Sequence, residues 1–242
     1  MIAPATADAL DRIAARAQDV MRAYTAGGFA AHSDVNTAAR APEHVTDPLS
    51  VAAPANAFFV SQGPGGARMF TRDGGFSLAG GTLRGADGAL ILGYPAGSAR
   101  GAVPGPLSLP ANDLALGRCT NVRVESDGTL SYTRSTIDPR TTERGVERVT
   151  AGKIALARFP AGTRPVRLDE RNVGAPQGIA PHLGTPADGT FAGLATYARD
   201  TGTVDIDTSL DKLSEAYRAF SALAAAHKAR GGADQTAMDL LK

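Results

Sequence analysis

The residue pattern closest to a catalytic motif in this chain is the tripeptide Asp200-Thr201-Gly202. Aspartic proteases carry the same tripeptide, but their chemistry needs two such carboxylates that share one proton. The chain has no second copy, and Tyr197-Ala198-Arg199 in front of it is not the usual apolar strand. We therefore interpret the tripeptide as a turn near the last strand, and keep an aspartic-type hydrolase that uses Asp200 as a minor alternative.

The other residues that could catalyse a reaction or bind a ligand form no recognisable constellation. The glycine-rich segment Gly63-Pro64-Gly65-Gly66 lacks the Lys-Ser/Thr of a phosphate loop, so we predict a hairpin tip. The 4 histidines, of which His227 lies on an apolar helix face, lack the spacing of a zinc site. Asp205 and Asp207 lack the further acids of a calcium loop. The sequence thus predicts a protein that is not an enzyme, with no catalytic, cofactor-binding or metal-binding residue and no small-molecule substrate.

Charge and composition narrow the class of protein further. The chain has 25 Lys and Arg against 24 Asp and Glu, without the basic excess typical of a nucleic-acid binder. Cys119 is the only cysteine, which excludes an internal disulfide.

The N-terminus lacks a basic region followed by an apolar stretch, so no Sec-type signal peptide is expected. The chain also lacks a run of about 18 apolar residues, so no transmembrane helix is expected.

Apolar residues at alternating spacings of three and four predict an amphipathic helix near each end. The first apolar stripe contains Leu10, Ile13, Ala17, Val20 and Tyr24. The second contains Leu210, Leu213, Tyr217, Phe220 and Ala224. Thr208 with Asp211 predicts a capping box, and Gly231-Gly232 is expected to end or kink the second helix. Because an isolated helix of about 20 residues is marginal in water, each stripe must pack against the other helix, the rest of the chain or another subunit.

Asp-Gly dipeptides between short apolar segments predict that the centre of the chain is rich in β-hairpins. They occur at Asp73-Gly74, Asp87-Gly88, Asp127-Gly128 and Asp188-Gly189. The fold class is therefore mainly β with terminal α-helices, which pack together or between subunits. The predicted order is an N-terminal amphipathic helix (1–28), a linker (29–49), a β-rich domain of hairpins (50–206) and a C-terminal amphipathic helix (207–242).

Within this centre, the segment from Phe58 to Tyr94 resembles the signature of the bacterial flagellar rod and hook protein family. Phe58-Phe59-Val60 is similar to the family's GFFVV strand, and the stretch from Phe70 to Phe76 is similar to YTRDGSF. The stretch from Leu83 to Gly93 resembles LVTADGYPVLG. The motif residues, as the term is used below, are Phe58, Phe59, Phe70, Thr71, Arg72, Asp73, Gly74 and Phe76.

The resemblance implies the family's architecture, in which both termini form a helical inner domain and the middle forms a β-rich outer domain. It implies a structural subunit of the flagellar basal-body rod, most like a divergent proximal-rod protein, that assembles head to tail through the two apolar stripes. The partners it implies are further copies of the chain, other rod and hook subunits, and the flagellar export apparatus. The location it implies is the periplasmic rod of the basal body, reached by type III export without a cleavable signal peptide.

Two further interpretations stay open because the family's terminal motifs are reduced here. Only remnants are found, from His32 to Thr37 and from Tyr217 to Phe220. The chain is therefore also compatible with a divergent relative in a non-flagellar filament, or with a monomeric adaptor that caps one. For Arg72 and Asp73, an intersubunit salt bridge is one alternative. The favoured one is that Asp73 accepts backbone hydrogen bonds in its own turn.

Overall fold

The computed structural model describes residues 4–23, 42–99, 101–137, 144–200 and 206–240. These residues form a mainly β fold, as predicted, and the sheet is curled.

The helices are α1 (Pro4–Ala23), α2 (Ala111–Ala115) and α3 (Ile206–Leu240), and Pro64–Gly66 forms a 3-10 turn. The strands are β1 (Glu43–His44), β2 (Val51–Ala52), β3 (Phe58–Gln62), β4 (Arg68–Thr71), β5 (Ser77–Ala79), β6 (Thr82–Arg84), β7 (Leu90–Pro95), β8 (Gly105–Pro106), β9 (Cys119–Val124), β10 (Thr129–Ile137), β11 (Arg144–Ile154), β12 (Leu156–Arg158), β13 (Val166–Arg167), β14 (Asn172–Gly174), β15 (His182–Gly184), β16 (Ala195–Thr196) and β17 (Ala198–Arg199). Residues 42–200 are called the β domain below.

One large antiparallel sheet organises the β domain. Its main path runs in the order β13-β14-β4-β3-β7-β11-β10-β9. β12 pairs with β3 and β15, while β6 and β8 join the sheet at β7. β3 pairs with β4 and also with β12 and β7, so it is a central strand of the sheet.

The two faces of β3 contribute to separate hydrophobic clusters. Phe59 packs into one cluster, where its ring contacts that of Phe76 edge to face with 4.9 Å between centroids. Phe58 and Val60 belong to the other cluster, together with Phe70. Side chains alternate between the faces of a strand, so a strand covered on both faces needs a continuous apolar run. This explains why the run Phe58-Phe59-Val60 contains no polar residue.

Two of the hairpins predicted from Asp-Gly dipeptides are confirmed. Asp127-Gly128 joins β9 to β10, and Val124 lies opposite Leu130 in the ladder. Asp87-Gly88 lies in the same way between β6 and β7. Gly128 has φ +78° and Gly88 has φ +81°, a left-handed backbone that glycine adopts without a steric penalty. The segment 63–66 lies at the tip between β3 and β4, also as predicted.

The prediction of a hairpin at Asp73-Gly74 is wrong. β4 ends at Thr71, and the chain continues to an isolated bridge between Gly75 and Ser50 without forming a strand pair across the dipeptide. Gly74 is required by space instead, because a Cβ there would overlap the carbonyl oxygen of Val51. The Val51 N–H also donates to the Gly74 carbonyl at 3.0 Å. The glycine therefore allows two backbone segments to approach closely.

Helix α3 differs from the sequence prediction at both ends. It begins at Ile206, so Thr208 lies within the helix and does not occupy its N-cap. It continues through Gly231-Gly232 to Leu240, so these glycines do not end it. A glycine costs a helix interior about 1 kcal/mol relative to alanine, which favours termination without enforcing it. Among the described helices, none is both long and apolar enough to cross a bilayer.

Candidate functional site

The motif residues lie inside the β domain. Each of the eight is buried: Phe58, Phe59, Phe70, Thr71, Arg72, Asp73, Gly74 and Phe76. They occupy β3, β4 and the segment that follows β4. This part of the chain is therefore the structural centre of the domain, and a partner that contacts the surface of the domain does not reach these side chains.

Arg72 forms a buried ion pair with Asp200. Its Nε lies 2.6 Å from Asp200 Oδ2, and the two side chains are only 1% and 3% exposed. Arg72 Nη1 also donates to the carbonyl of Ala57 at 2.9 Å. A guanidinium taken out of water is stable only with a charge partner and acceptors for its remaining N–H groups. Because this pair lies within one chain, the alternative of an intersubunit salt bridge at Arg72 is wrong.

Asp73 makes a separate set of bonds. Its Oδ1 accepts the N–H of Gly75 at 3.0 Å, and its Oδ2 accepts Nη1 of Arg171 at 3.0 Å. The prediction that Asp73 accepts a backbone hydrogen bond is confirmed, although the segment does not form a hairpin. Burial raises the pKa of the Asp73 carboxyl, while the Gly75 bond and the charge of Arg171 act in the opposite direction.

A second arginine, Arg199, lies against the backbone beside Asp73. A Cβ on Gly75 would come 2.7 Å from Nε, Cζ and Nη2 of Arg199, which is closer than real Cβ contacts allow. A side chain at position 75 would displace this guanidinium. The charge of Arg199 also acts to lower the pKa of Asp73. Asp73 is thus surrounded by Arg171 and Arg199, while Arg72 pairs with a different acid.

These contacts bring the two ends of the β domain together. β1 pairs with β17, so Glu43 lies opposite Arg199 in the ladder. Pro42, Arg72 and Asp200 line one small cleft of about 220 Å³. The sequence predicted a linker over residues 29–49, of which 42–49 are described, and β1 falls in this part as a strand bonded to the domain. The chain therefore enters and leaves the β domain side by side.

The C-terminal edge of the domain changes partners at Tyr197. β16 pairs with β2 and β17 pairs with β1, and Tyr197 between them has φ +53°. The carbonyl of Tyr197 accepts the N–H of Val45 at 2.8 Å. An aromatic residue in the left-handed region is uncommon and costs on the order of 1–3 kcal/mol. The flanking strand pairs and the ion pair of Asp200 compensate for this strain.

The arrangement around Asp200 differs from that of an aspartic hydrolase. Of Asp200-Thr201-Gly202, only Asp200 lies within the described residues. Its carboxylate forms an ion pair with the guanidinium of Arg72, whereas the hydrolase reaction uses two carboxylates that face each other. Within the described ranges, Asp200 therefore has the surroundings of a structural residue.

The histidines do not come together in the described part of the chain. His182 stacks on Phe191 with 6.0 Å between ring centroids, and the guanidinium of Arg158 lies 4.8 Å from the same ring. His32 and the side chain of His227 lie outside the described residues. Over the ranges that the structure describes, no group of three or more His, Cys, Asp or Glu side chains is placed to hold a metal ion.

The stripe residues of the terminal helices differ in how far their side chains are buried. In α1, Ile13, Ala17 and Val20 are half-buried, whereas Leu10 is 43% exposed. Tyr24, which the sequence also placed in this stripe, lies outside the described residues. An interface between subunits along these positions stays a prediction.

In α3 the covered positions differ from the predicted stripe. The half-buried side chains between 210 and 224 are Leu213, Ala216, Phe220 and Leu223. Leu210, Tyr217 and Ala224 are exposed, and Tyr217 is 63% exposed. Spacings of three and four allow either Ala216 or Tyr217 after Leu213, and sequence reasoning chose the larger side chain. Ala216 was missed for this reason. Leu223 was missed because the prediction placed Ala224, four residues after Phe220, in the stripe. Tyr217 lies on the exposed flank of the stripe.

Sequence reasoning also missed Arg171 as a partner of Asp73 and Asp200 as a partner of Arg72. The two pairs join residues 98 and 128 positions apart, so no local spacing indicates them.

Compared with the models of known protein families and with curated proteins, the chain matches none. A functional assignment therefore depends on the motif residues and on the exposed helical positions.

Proposed function

We propose that the protein is a structural subunit of the bacterial flagellar basal-body rod, which assembles head to tail into a helical axial tube. One observation carries the proposal: the terminal helices retain large apolar side chains exposed to solvent, namely Leu10, Leu210 and Tyr217. The resemblance of the motif residues to the flagellar rod and hook family is the reason for proposing a rod as the assembly.

The burial of the motif residues determines where assembly contacts are to be sought. Because Phe58, Phe70 and Arg72 are internal, the motif acts by maintaining the β domain. Contacts between subunits must then use other surfaces. The helical stripes are suited to this role because removing an exposed Leu side chain from water contributes about 1.5–3 kcal/mol before the costs of association.

The relation between the helices supports a bundle between subunits. α1 and α3 contact each other, which is consistent with a helical pair that covers Leu213 and Phe220 in part. Leu210 and Tyr217 are one heptad apart and so lie on the same flank of α3. A helical pair with a second apolar flank can pack against the equivalent pair of a neighbouring subunit.

The proposal includes the partners and the location. Heterologous contacts that do not close on themselves generate a filament, so the chain would contact further copies of itself and other rod and hook subunits. Its place would be the periplasmic rod, and the flagellar export apparatus would deliver it there. No cofactor or small-molecule substrate takes part in this function.

The test uses electron microscopy and sedimentation of the full chain at rising concentration, alone and with rod and hook subunits of one flagellated bacterium. Leu210→Glu with Tyr217→Glu should abolish assembly, because two charges on the exposed flank cannot be buried. Val146→Glu is the matched control, since Val146 is 73% exposed on β11 of the β domain. Assembly that the flank variant does not weaken would contradict the proposal.

The alternatives predict different outcomes in the same test. A non-flagellar filament subunit would assemble alone and would not be incorporated with rod or hook subunits. An adaptor would stay monomeric and bind only at the ends of a tube. An aspartic hydrolase would cleave peptides and would lose this activity in Asp200→Asn.

A further inference from the structure

A groove lies at one end of the strand pair β12–β15 in the β domain. Arg158 is directly opposite His182 in the last pair of this ladder. Pro160 and Pro181 lie just beyond the pair, and because a proline has no N–H group, a regular ladder does not continue through them. The two chain segments beyond the pair line a groove of about 550 Å³, together with Arg158 and His182. This volume is within the usual range of small-molecule sites, about 300–1,000 Å³.

The walls of the groove are apolar and rigid. Phe159 forms part of them, and its ring contacts those of Phe58 and Phe70 edge to face, at 5.6 and 5.2 Å between centroids. Both of these partner rings are buried motif residues. The other apolar lining residues are Pro160, Ala161, Ala180 and Pro181. Because alanine and proline side chains have almost no freedom to lose, an apolar ligand can bind against them without an ordering cost in the protein.

Arg158 and His182 form the polar end of the groove, and Phe191 contacts both. The guanidinium carbon of Arg158 lies 4.8 Å from the centre of the Phe191 ring, and the His182 ring stacks on it at 6.0 Å. Nη2 of Arg158 also donates to the carbonyl of Thr190 at 2.9 Å. Asp188 fixes this loop, because it accepts the N–H groups of Thr190 and Phe191. The two donor side chains are therefore held in place before any ligand binds.

The charge of Arg158 has no carboxylate partner within the described residues. Its Nε is buried and has no hydrogen-bond acceptor in that part of the chain. Asp188 lies close enough to His182 to interact with it electrostatically, but three backbone N–H groups occupy the Asp188 oxygens. Other arginines of the β domain do form ion pairs with acids, namely Arg72, Arg134, Arg148 and Arg171. A partly buried guanidinium without a counter-charge favours the binding of an anion.

We propose that this groove binds an organic carboxylate that has an apolar body. Nη1 of Arg158, which makes no hydrogen bond within the described residues, and a ring N–H of His182 are two donors for the two carboxylate oxygens. The apolar body lies against Phe159 and the two prolines. The ligand is a free organic acid or the carboxyl terminus of a peptide. The inference does not depend on the proposed function.

The test is a nuclear magnetic resonance titration of the isotope-labelled full chain with phenylpropionate as the probe. We expect saturable chemical-shift changes at residues 158–161 and 180–182. Acetate lacks the apolar body and phenylpropylamine has the opposite charge, so each should bind at least about tenfold more weakly. N-acetylphenylalanine presents the same groups as a peptide terminus. Tighter binding of this compound than of phenylpropionate assigns the peptide source, and weaker binding assigns the free acid.

Arg158→Met should weaken the binding of phenylpropionate at least about tenfold, and Arg158→Lys should retain part of it. Arg123→Met is the matched control, since Arg123 is exposed on β9 and has no carboxylate partner within the described ranges. If Arg158→Met no longer melts cooperatively, Ala161→Glu takes its place, because Ala161 is exposed and an acid there repels the ligand. The proposal is overturned if no saturable shifts occur at the groove, if the amine binds equally well, or if the groove variants bind like the parent.

Discussion

Arg72 and Asp200 are 128 positions apart in the chain, yet their side chains meet at 2.6 Å in the interior of the protein. One residue follows the central strands of the sheet, and the other precedes α3. The motif that resembles the rod and hook family thus contacts both the core and the exit of the β domain. Because of this ion pair, the central strands and the residues up to Asp200 must fold as one unit.

Asp200→Asn should destabilise the protein by about 3–5 kcal/mol, because it leaves the guanidinium of Arg72 buried without a counter-charge. Urea unfolding followed by circular dichroism measures the change. Lys153→Met is the control, since Lys153 pairs with Asp127 at 2.8 Å but both side chains are more than 40% exposed. Its cost should be about 0–1 kcal/mol. Equal effects of the two substitutions would contradict the assignment of Arg72–Asp200 as a buried pair.

Gly74→Ala should destabilise the β domain although the backbone of Gly74 is not left-handed. The added methyl group would overlap the carbonyl oxygen of Val51 and force the two segments apart. Gly105→Ala is the matched control, because a Cβ on Gly105 meets nothing within 4 Å. We expect a melting temperature clearly below that of the parent for the first variant and near it for the second. A harmless Gly74→Ala would show that the close approach is absent in solution.

Removal of residues 208–242 should leave the β domain folded, because Asp200 and the strands before it are retained. Removal of 195–242 should lower its stability strongly, since β16, β17 and the partner of Arg72 are lost together. Thermal melting of the two shortened chains measures the difference. Loss of the β-sheet signal in the first truncation would show that the domain is not independent of α3.

Asp188 should contribute to the acid sensitivity of the fold. It accepts the N–H groups of Thr185, Thr190 and Phe191 at 2.8–2.9 Å. Burial acts to raise the pKa of Asp188, but these bonds outweigh it and lower the pKa below the ordinary value. The folded protein therefore binds this proton more weakly than the unfolded chain does. The stabilisation is present above about pH 3.9 and is lost as the pH falls through the folded pKa.

The measurement is the urea midpoint of the parent chain and of Asp188→Asn at a series of pH values on both sides of the ordinary aspartate pKa. The parent should lose more stability than the variant as the pH falls through this range. Parallel curves for the two proteins would show that the hydrogen bonds to Asp188 do not lower its pKa.

Local signals predicted the fold where the structural cause is itself local. The hairpin at Asp127-Gly128 follows from a turn dipeptide and from the alternation of Val124 and Leu130 around it. The same dipeptide at Asp73-Gly74 led to a wrong prediction, because the glycine there allows a close approach to Val51 on β2. The sequence shows that a glycine is present, but not whether backbone conformation or space requires it.

The contacts around the motif residues could not be predicted from the sequence for a similar reason. Asp200 was noticed as part of a protease tripeptide, and only the fold shows that its partner is Arg72. In α3 the periodicity predicted the helix, but of the predicted stripe only Leu213 and Phe220 are half-buried, because Ala216 and Tyr217 fit the spacing equally well. Which of the two is covered depends on what packs against the helix, and that is tertiary information.

The most direct test of the central claim is sedimentation velocity with electron microscopy on the full chain and on the Leu210→Glu/Tyr217→Glu variant, each alone and mixed with rod and hook subunits. The account predicts tubes or long oligomers that contain the full chain, and a variant that melts normally but is not incorporated. A full chain that stays monomeric under all these conditions, or a variant that is incorporated equally well, would contradict it.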